Sequence, residues 1–183
     1  MTEFLSKLLY TSDCQRVLHE LNLLLECKTQ WNSDNQIGLR HRPGCIDKWK
    51  DSSGSLYDNE KQVKISSECD FNIWNDECPS YTKQILEDLA IAEGISWGRV
   101  RFMLAMPKSG LSMHYDTEPR YHLVLQTNPN AIFAECFKNN NVRSIGYHMP
   151  ADNHWYKVDT TREHFVYNGG WQPRIHLVCC PTV

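Results

Sequence analysis

His114-Tyr115-Asp116 sets an imidazole and a carboxylate two residues apart. In an extended strand such residues share a face, about 7 Å apart along the backbone, and both can converge on one cation. A bare H-x-D is common, and its usual meaning is an ordinary surface pair. Glu163-His164-Phe165-Val166-Tyr167-Asn168 supplies a second imidazole within an alternating run. His114, Asp116 and His164 together make a facial set of two nitrogens and one oxygen, leaving three positions of an octahedral ion open. Mixed nitrogen and oxygen ligation suits Fe(II), although zinc or nickel would bind such a set too.

Arg174 follows ten residues after His164, in an otherwise apolar run with Ile175, Leu177 and Val178. A charge there is costly unless it meets an anion. The partner is either an acidic neighbour in a structural salt bridge or the carboxylate of a ligand, gripped by the guanidinium fork. A two-residue hairpin at Gly169-Gly170 would turn Arg174 away from the face of His164. For both to look inward, the chain must cross to a facing sheet. In Arg120-Tyr121-His122-Leu123-Val124-Leu125, period two puts Arg120 and His122 on one face and an apolar set on the other. Taken alone, that pair reads first as a solvated edge arginine and a satisfied core histidine.

The elements that must position these residues change character along the chain. Residues 3–27 carry apolar side chains at three- and four-residue steps, broken at Thr11-Ser12-Asp13, which predicts two short helices. Residues 32–61 are rich in Asn, Asp, Ser and Gly around a strand-like Gln36-Ile37-Gly38-Leu39, and read as a long surface excursion able to carry substrate contacts. A second helical stretch runs from Ser80 to about Glu93, with Gly94 where a C-terminal cap belongs. From Trp97 onward short strands are expected at 97–106, 111–116, 120–127, 131–137, 143–149, 154–159, 163–168 and 173–180. Eight strands with no helix between them predict an antiparallel sandwich or barrel.

Composition sets the outer bounds. The 183 residues suit a single domain 1–183, helical and loop-rich over 1–95 and β from 96 to 183. Apolar residues make up 41 % and aromatics 11 %, which excludes a disordered chain. Lys+Arg 19 against Asp+Glu 22 argues against a dedicated polyanion binder. No apolar run is long enough to span a bilayer, and MTEFLSKLLYTSD lacks the basic start and apolar core of a signal peptide. A cytoplasmic setting is therefore expected. The 8 cysteines form no C-x-x-C and are read mostly as small buried apolar side chains.

Four pieces of the chain, in order, are similar to the aspartyl/asparaginyl β-hydroxylase-like branch of the Fe(II)/2-oxoglutarate oxygenases. They are Met113-His114-Tyr115-Asp116, Arg120-Tyr121-His122-Leu123-Val124-Leu125, Trp155-Tyr156-Lys157-Val158-Asp159, and His164 through Asn168 to Arg174-Ile175-His176-Leu177-Val178. Trp31-Asn32-Ser33-Asp34-Asn35-Gln36-Ile37-Gly38-Leu39 also resembles small bacterial or phage-borne members. The resemblance implies a mainly β fold, a double-stranded β-helix of jelly-roll, cupin-like type, with N-terminal helices packed on one sheet. It implies Fe(II), the cosubstrate 2-oxoglutarate and O₂ as cofactors. His114, Asp116 and His164 resemble the iron ligands and Arg174 the arginine that pairs with the far carboxylate of 2-oxoglutarate. Arg120 and His122 resemble residues holding the carboxylate next to iron. The best-known β-hydroxylases of this branch lack the acidic ligand, so Asp116 departs toward the general superfamily pattern.

The expected reaction is hydroxylation of an unactivated C–H in an amino-acid side chain, free or in a polypeptide. It is coupled to decarboxylation of 2-oxoglutarate to succinate and CO₂. Tyr115, Trp155 and the 32–61 excursion are expected at the substrate entrance. The competing reading is a metal-binding cupin-like module without oxidative turnover. A nucleic-acid substrate is disfavoured by the charge balance, and because Cys180 stands where nucleic-acid demethylases of the superfamily carry a second arginine. Arg40-His41-Arg42 with Lys48 and Lys50 is the one basic patch in its favour. An acyl-transfer hydrolase fares worse, because no Ser or Cys nucleophile sits in a recognisable elbow beside a histidine.

Overall fold

The computed structural model describes residues 3–58, 60–61, 63–139 and 141–182. Residues 1, 2 and 183 of the expected domain, and residue 59 of the 32–61 excursion, lie outside the described residues. In chain order the elements are β1 (Leu5–Thr11), α1 (Cys14–Cys27), β2 (Gln36–Gly38), β3 (Arg40–His41), β4 (Tyr57–Asp58) and β5 (Val63–Lys64). There follow β6 (Ile73–Trp74), α2 (Ser80–Glu93), β7 (Ser96–Ala105), β8 (Ser109–His114) and β9 (Arg120–Gln126). The chain closes with β10 (Ala131–Asn139), β11 (Asn141–Tyr147), β12 (His154–Val158), β13 (His164–Asn168) and β14 (Arg174–Thr182). No described helix is long and apolar enough to cross a membrane.

The chain forms two compact units, one of residues 1–15 and 104–177, the other of 16–103 and 178–183. In the first, β1, β12, β9 and β14 are neighbours in one sheet and β11, β10, β13 and β8 in another. Phe4, Val124, Phe133, Met149, Tyr156, Val158 and Val166 make its core. This is the mainly β, cupin-like double-stranded β-helix that the sequence led us to expect. All eight strands expected after residue 96 are present, each displaced by at most a few residues.

The N-terminus differs. Residues 3–11 were expected to be helical, but Leu5–Thr11 is a strand, with Leu5 opposite Val158 and Lys7 opposite Tyr156 on β12. Its spacing of leucines imitates a helix because the strand has no cleanly buried face, and Leu9 is fully exposed. Helix begins only at Cys14, whose amide donates to Asn153 Oδ1, while the Gln15 amide donates to Asp13 Oδ1. Side-chain acceptors thus satisfy helix N–H groups that have no partner inside the helix.

In the second unit β2 pairs with β7, placing Ile37 opposite Phe102. Ile37, Leu39, Leu86, Leu89, Val100 and Phe102 are buried. The Glu20 carboxylate accepts from the Tyr81 and Thr82 amides and the Thr82 hydroxyl, so α1 caps the start of α2. Gly94 ends α2 in the left-handed conformation, φ 64°, as expected of a glycine cap. The 32–61 stretch is only partly a surface excursion: Gln36, Ile37, Gly38, Leu39 and His41 are buried. The Asn75 side chain ties it down, donating to the carbonyls of Gly38 and Lys48.

Candidate metal centre

β8 and β13 run antiparallel, and their register puts His114 directly opposite His164. The register shifts between His164 and Val166, where Val166 faces Leu111. That irregularity brings a fifty-residue sequence separation down to touching imidazoles, with ring centroids 4.3 Å apart. Gly110 permits the approach, because a Cβ there would lie 2.2 Å from the Val166 carbonyl oxygen. Gly110→Ala is expected to destabilise the protein by about 1–3 kcal/mol through overpacking and to weaken metal binding by displacing β8. Denaturant unfolding and a metal titration of the variant check both effects.

Asp116 lies beyond the end of β8, not inside the strand expected over 111–116. Its amide donates to the Thr160 carbonyl, and the Thr160 hydroxyl donates to the Glu118 carbonyl, so one residue pins the loop at two points. The ligand atoms of His114, Asp116 and His164 all lie within 4.8 Å of one another.

Second contacts set the protonation of this cluster. His114 Nδ1 donates to the Ser112 carbonyl at 2.7 Å, and His164 Nδ1 to the Arg162 carbonyl at 2.8 Å. A carbonyl only accepts, so each neutral ring carries its hydrogen on Nδ1 and offers the Nε2 lone pair. Phe133 stacks on His164 at 5.1 Å and fixes the ring plane. Burial lowers the His164 pKa, against the raising effect of its bond to Arg162, and favours the neutral ring that a metal needs. For Asp116 burial opposes ionisation, but the charge and hydrogen bonds of Arg120 outweigh it and hold the carboxyl below its ordinary range. Two imidazole lone pairs and an ionised carboxylate converging on one point are a donor set that fits Fe(II).

Arg120 meets the triad itself. Its Nε and Nη2 reach Asp116 Oδ2 and Oδ1 at 3.0 and 2.9 Å. The fork lies on the carboxylate of the triad, where it orients that ligand. Arg174 is buried, and its one hydrogen-bond partner among the described residues is His176 Nδ1, at 3.1 Å. Among the described residues no carboxylate offsets its charge, and burial alone pushes the guanidinium down to about 9. Of the two partners foreseen for Arg174, the acidic neighbour is absent among the described residues. His122 is also buried, edge-on to Phe133 at 5.6 Å.

The two aromatic residues expected at the substrate entrance part company. Tyr115 is 69 % exposed beside the triad, whereas Trp155 is fully buried and donates its indole N–H to Ser12 Oγ at 2.9 Å. Trp155 is therefore a core residue, and its placement at an entrance is corrected. It shares β12 with Tyr156, which pairs with His122; successive residues point to opposite faces. Leu111 was missed. Opposite the buried Val166 it shares a face with the buried His164, yet it remains half exposed. Its signal lay in the register of β8 on β13, which alternation alone does not reveal.

Asn168 proves to be a structural pin. Its Nδ2 reaches the carbonyls of Ala105, Met106 and Gln172, and its Oδ1 accepts from Asn128 and the Gly170 amide. In the basic patch, Arg42 pairs with Asp51 and Lys48 with Asp76, while Arg40 bonds the Trp97 carbonyl and lies over Trp74. Asp51, Asp76 and the Trp97 carbonyl thus take up Arg42, Lys48 and Arg40 of that patch.

A family model described as Aspartyl/Asparaginyl beta-hydroxylase matches residues 11–180. Among solved structures, a Pseudomonas putida prolyl-4-hydroxylase is similar at 11% identity and TM-score 0.54, over 98% of this chain and 92% of that one. At that identity the likeness shows the fold. An oxidoreductase of the 2OG-Fe(II) oxygenase family from Burkholderia pseudomallei is similar at 14% identity and TM-score 0.43. The match covers 54% of this chain and 50% of that one, so the chain spans half the length of the Burkholderia structure. No curated protein matches the sequence.

Proposed function

Because the chain belongs to the aspartyl/asparaginyl β-hydroxylase family, whose members are Fe(II)- and 2-oxoglutarate-dependent hydroxylases, we propose that it hydroxylates an amino-acid side chain, free or within a polypeptide. The observation that carries this reading is the convergence of His114, Asp116 and His164, with donor atoms within 4.8 Å. On this reading His114 Nε2, His164 Nε2 and the Asp116 carboxylate hold the iron. Bound Fe(II) with 2-oxoglutarate supplies the oxidising power of O₂, giving succinate, CO₂ and a hydroxyl on an unactivated carbon.

The protein's own residues bind and orient. The Ser112 and Arg162 carbonyls keep both imidazoles in the metal-binding tautomer. Arg120 keeps Asp116 ionised and aimed. Arg174, buried without an acidic partner, receives the far carboxylate of 2-oxoglutarate, and its charge is then compensated. His122 lies on the same sheet face as Arg120 and takes the carboxylate nearer the metal. Tyr115 and Leu111 border the substrate, the first exposed beside the triad and the second half exposed on the face of His164. An apolar, part-covered wall there orients a side chain and limits water.

The test is aerobic incubation of the Fe(II)-loaded protein with 2-oxoglutarate and a panel of amino acids and peptides. Succinate release and gain of one oxygen in a panel member are expected, both lost in His164→Ala. Absence of succinate with every member would favour a metal-binding module without turnover.

A further inference from the structure

β8 ends its sheet. In the order β11-β10-β13-β8 it pairs with β13 on one side, and no described strand pairs with its other side. Alternate residues of such a strand send their amides and carbonyls outward, a template on which another chain can pair. Proteins usually blunt these edges with charged side chains or proline. Ser109-Gly110-Leu111-Ser112-Met113-His114 carries neither Lys, Arg, Asp, Glu nor Pro, whereas β11, at the opposite edge, carries the exposed Arg143. Gly110, Leu111, Ser112 and Met113 are all exposed. The one interruption, Ser112 and Met113 opposite the single Phe165, falls beside His114, where such a bulge aims the ligand. Exposed apolar side chains gather along the edge: Met106 before it, Leu111 and Met113 on it, and Tyr115 after it. At its start Lys108 Nζ lies 4.3 Å from the ring centre of the exposed Trp171.

We propose that the substrate is a polypeptide in extended conformation that adds to the free edge of β8 as a further strand. This rests on the hydroxylase reading above and chooses a polypeptide over a free amino acid. The choice follows from where the edge leads. His114 is the last residue of β8, and it shares a face with His164, turned to the metal position. Residues directly opposite each other on neighbouring strands point to one face. A residue laid opposite His114 therefore carries its side chain to the metal side. Main-chain pairing supplies register and affinity, and the apolar side chains of the edge receive alternate flanking residues. A free amino acid has no neighbouring residues and gains none of these contacts.

The probe is a blocked peptide of about seven residues, alternating valine and threonine, with each natural amino acid in turn at its centre. The Fe(II)-loaded protein receives 2-oxoglutarate and either a peptide or its central amino acid in free form. At least one peptide is expected to gain one oxygen at its centre, with kcat/KM about 100-fold or more above that of the free amino acid. N-Methyl groups on alternate amides of that peptide should cost about tenfold or more for one set and less than about threefold for the other, because only one set faces β8. Under anaerobic conditions the same peptide should slow hydrogen exchange at residues 109–113, a readout that needs no turnover.

A free amino acid used as well as the best peptide, equal losses from both methylated sets, or unchanged exchange at 109–113 would each overturn strand addition. If a free amino acid is hydroxylated and no peptide is, strand addition fails and the hydroxylase reading stands. If nothing gains oxygen, that reading fails, and exchange at 109–113 with the peptide series decides the use of the edge by itself. Slow exchange there in the protein alone, with a dimer in sedimentation, would give the edge to a second copy of the chain and overturn the proposal.

Discussion

Arg174→Met is expected to weaken 2-oxoglutarate binding by roughly 10- to 150-fold while leaving the cosubstrate-free protein at least as stable as the parent. The first effect follows from losing a charge-assisted pair worth about 1.5–3 kcal/mol, at a factor of ten per 1.4 kcal/mol. The second runs against the usual sign for a core substitution. Arg174 is buried with an imidazole as its sole partner among the described residues, and its guanidinium is held down to about 9 by burial alone. Methionine has a similar reach and no charge to desolvate. Replacing buried charges by apolar side chains of similar volume is often neutral or stabilising, by about 1–4 kcal/mol. Anaerobic titration and denaturant unfolding measure the two effects separately. A variant that binds 2-oxoglutarate like the parent, but unfolds more easily, would identify Arg174 as an ordinary structural residue.

Asp116→Ala should act in the opposite way on stability. Asp116 accepts both arms of Arg120, and the Arg120 side chain is only 7 % exposed. Breaking a buried ion pair by removing one member costs about 3–5 kcal/mol. Metal affinity should fall by more than about 100-fold, because even residues behind the ligands contribute about 10- to 100-fold and Asp116 is the single oxygen ligand of the set. Asp116→Asn separates the two losses. Its carbonyl oxygen still accepts from Arg120 and restores part of the stability, but it lacks the charge that holds a divalent ion. Metal titration and unfolding of both variants check this, and equal stability of parent and Asp116→Ala would remove Arg120 from its positioning role.

The strands after residue 96 were legible because alternation and turn residues mark each one; the expected 120–127 is β9, Arg120–Gln126. The His114, Asp116 and His164 set was legible as residue types in order. What closes it, the displaced register of β8 on β13, depends on pairing between distant segments and leaves no local trace. The same holds for Arg120, whose attachment to Asp116 needs the loop pinned by Thr160. Trp155 shows a different limit. On β12, Trp155, Tyr156 and Val158 are all buried, so alternation could not tell a core face from an entrance. At β1 the leucine spacing pointed to helix, and pairing with β12 overrode it.

Anaerobic equilibrium dialysis of Fe(II) against the parent protein and His164→Ala bears most directly on the three-ligand centre. One ion per chain is expected in the parent and none in the variant, because two remaining donors cannot hold Fe(II) against buffer. A parent that retains no iron, or a His164→Ala protein that retains a full equivalent, would contradict the site assigned to His114, Asp116 and His164.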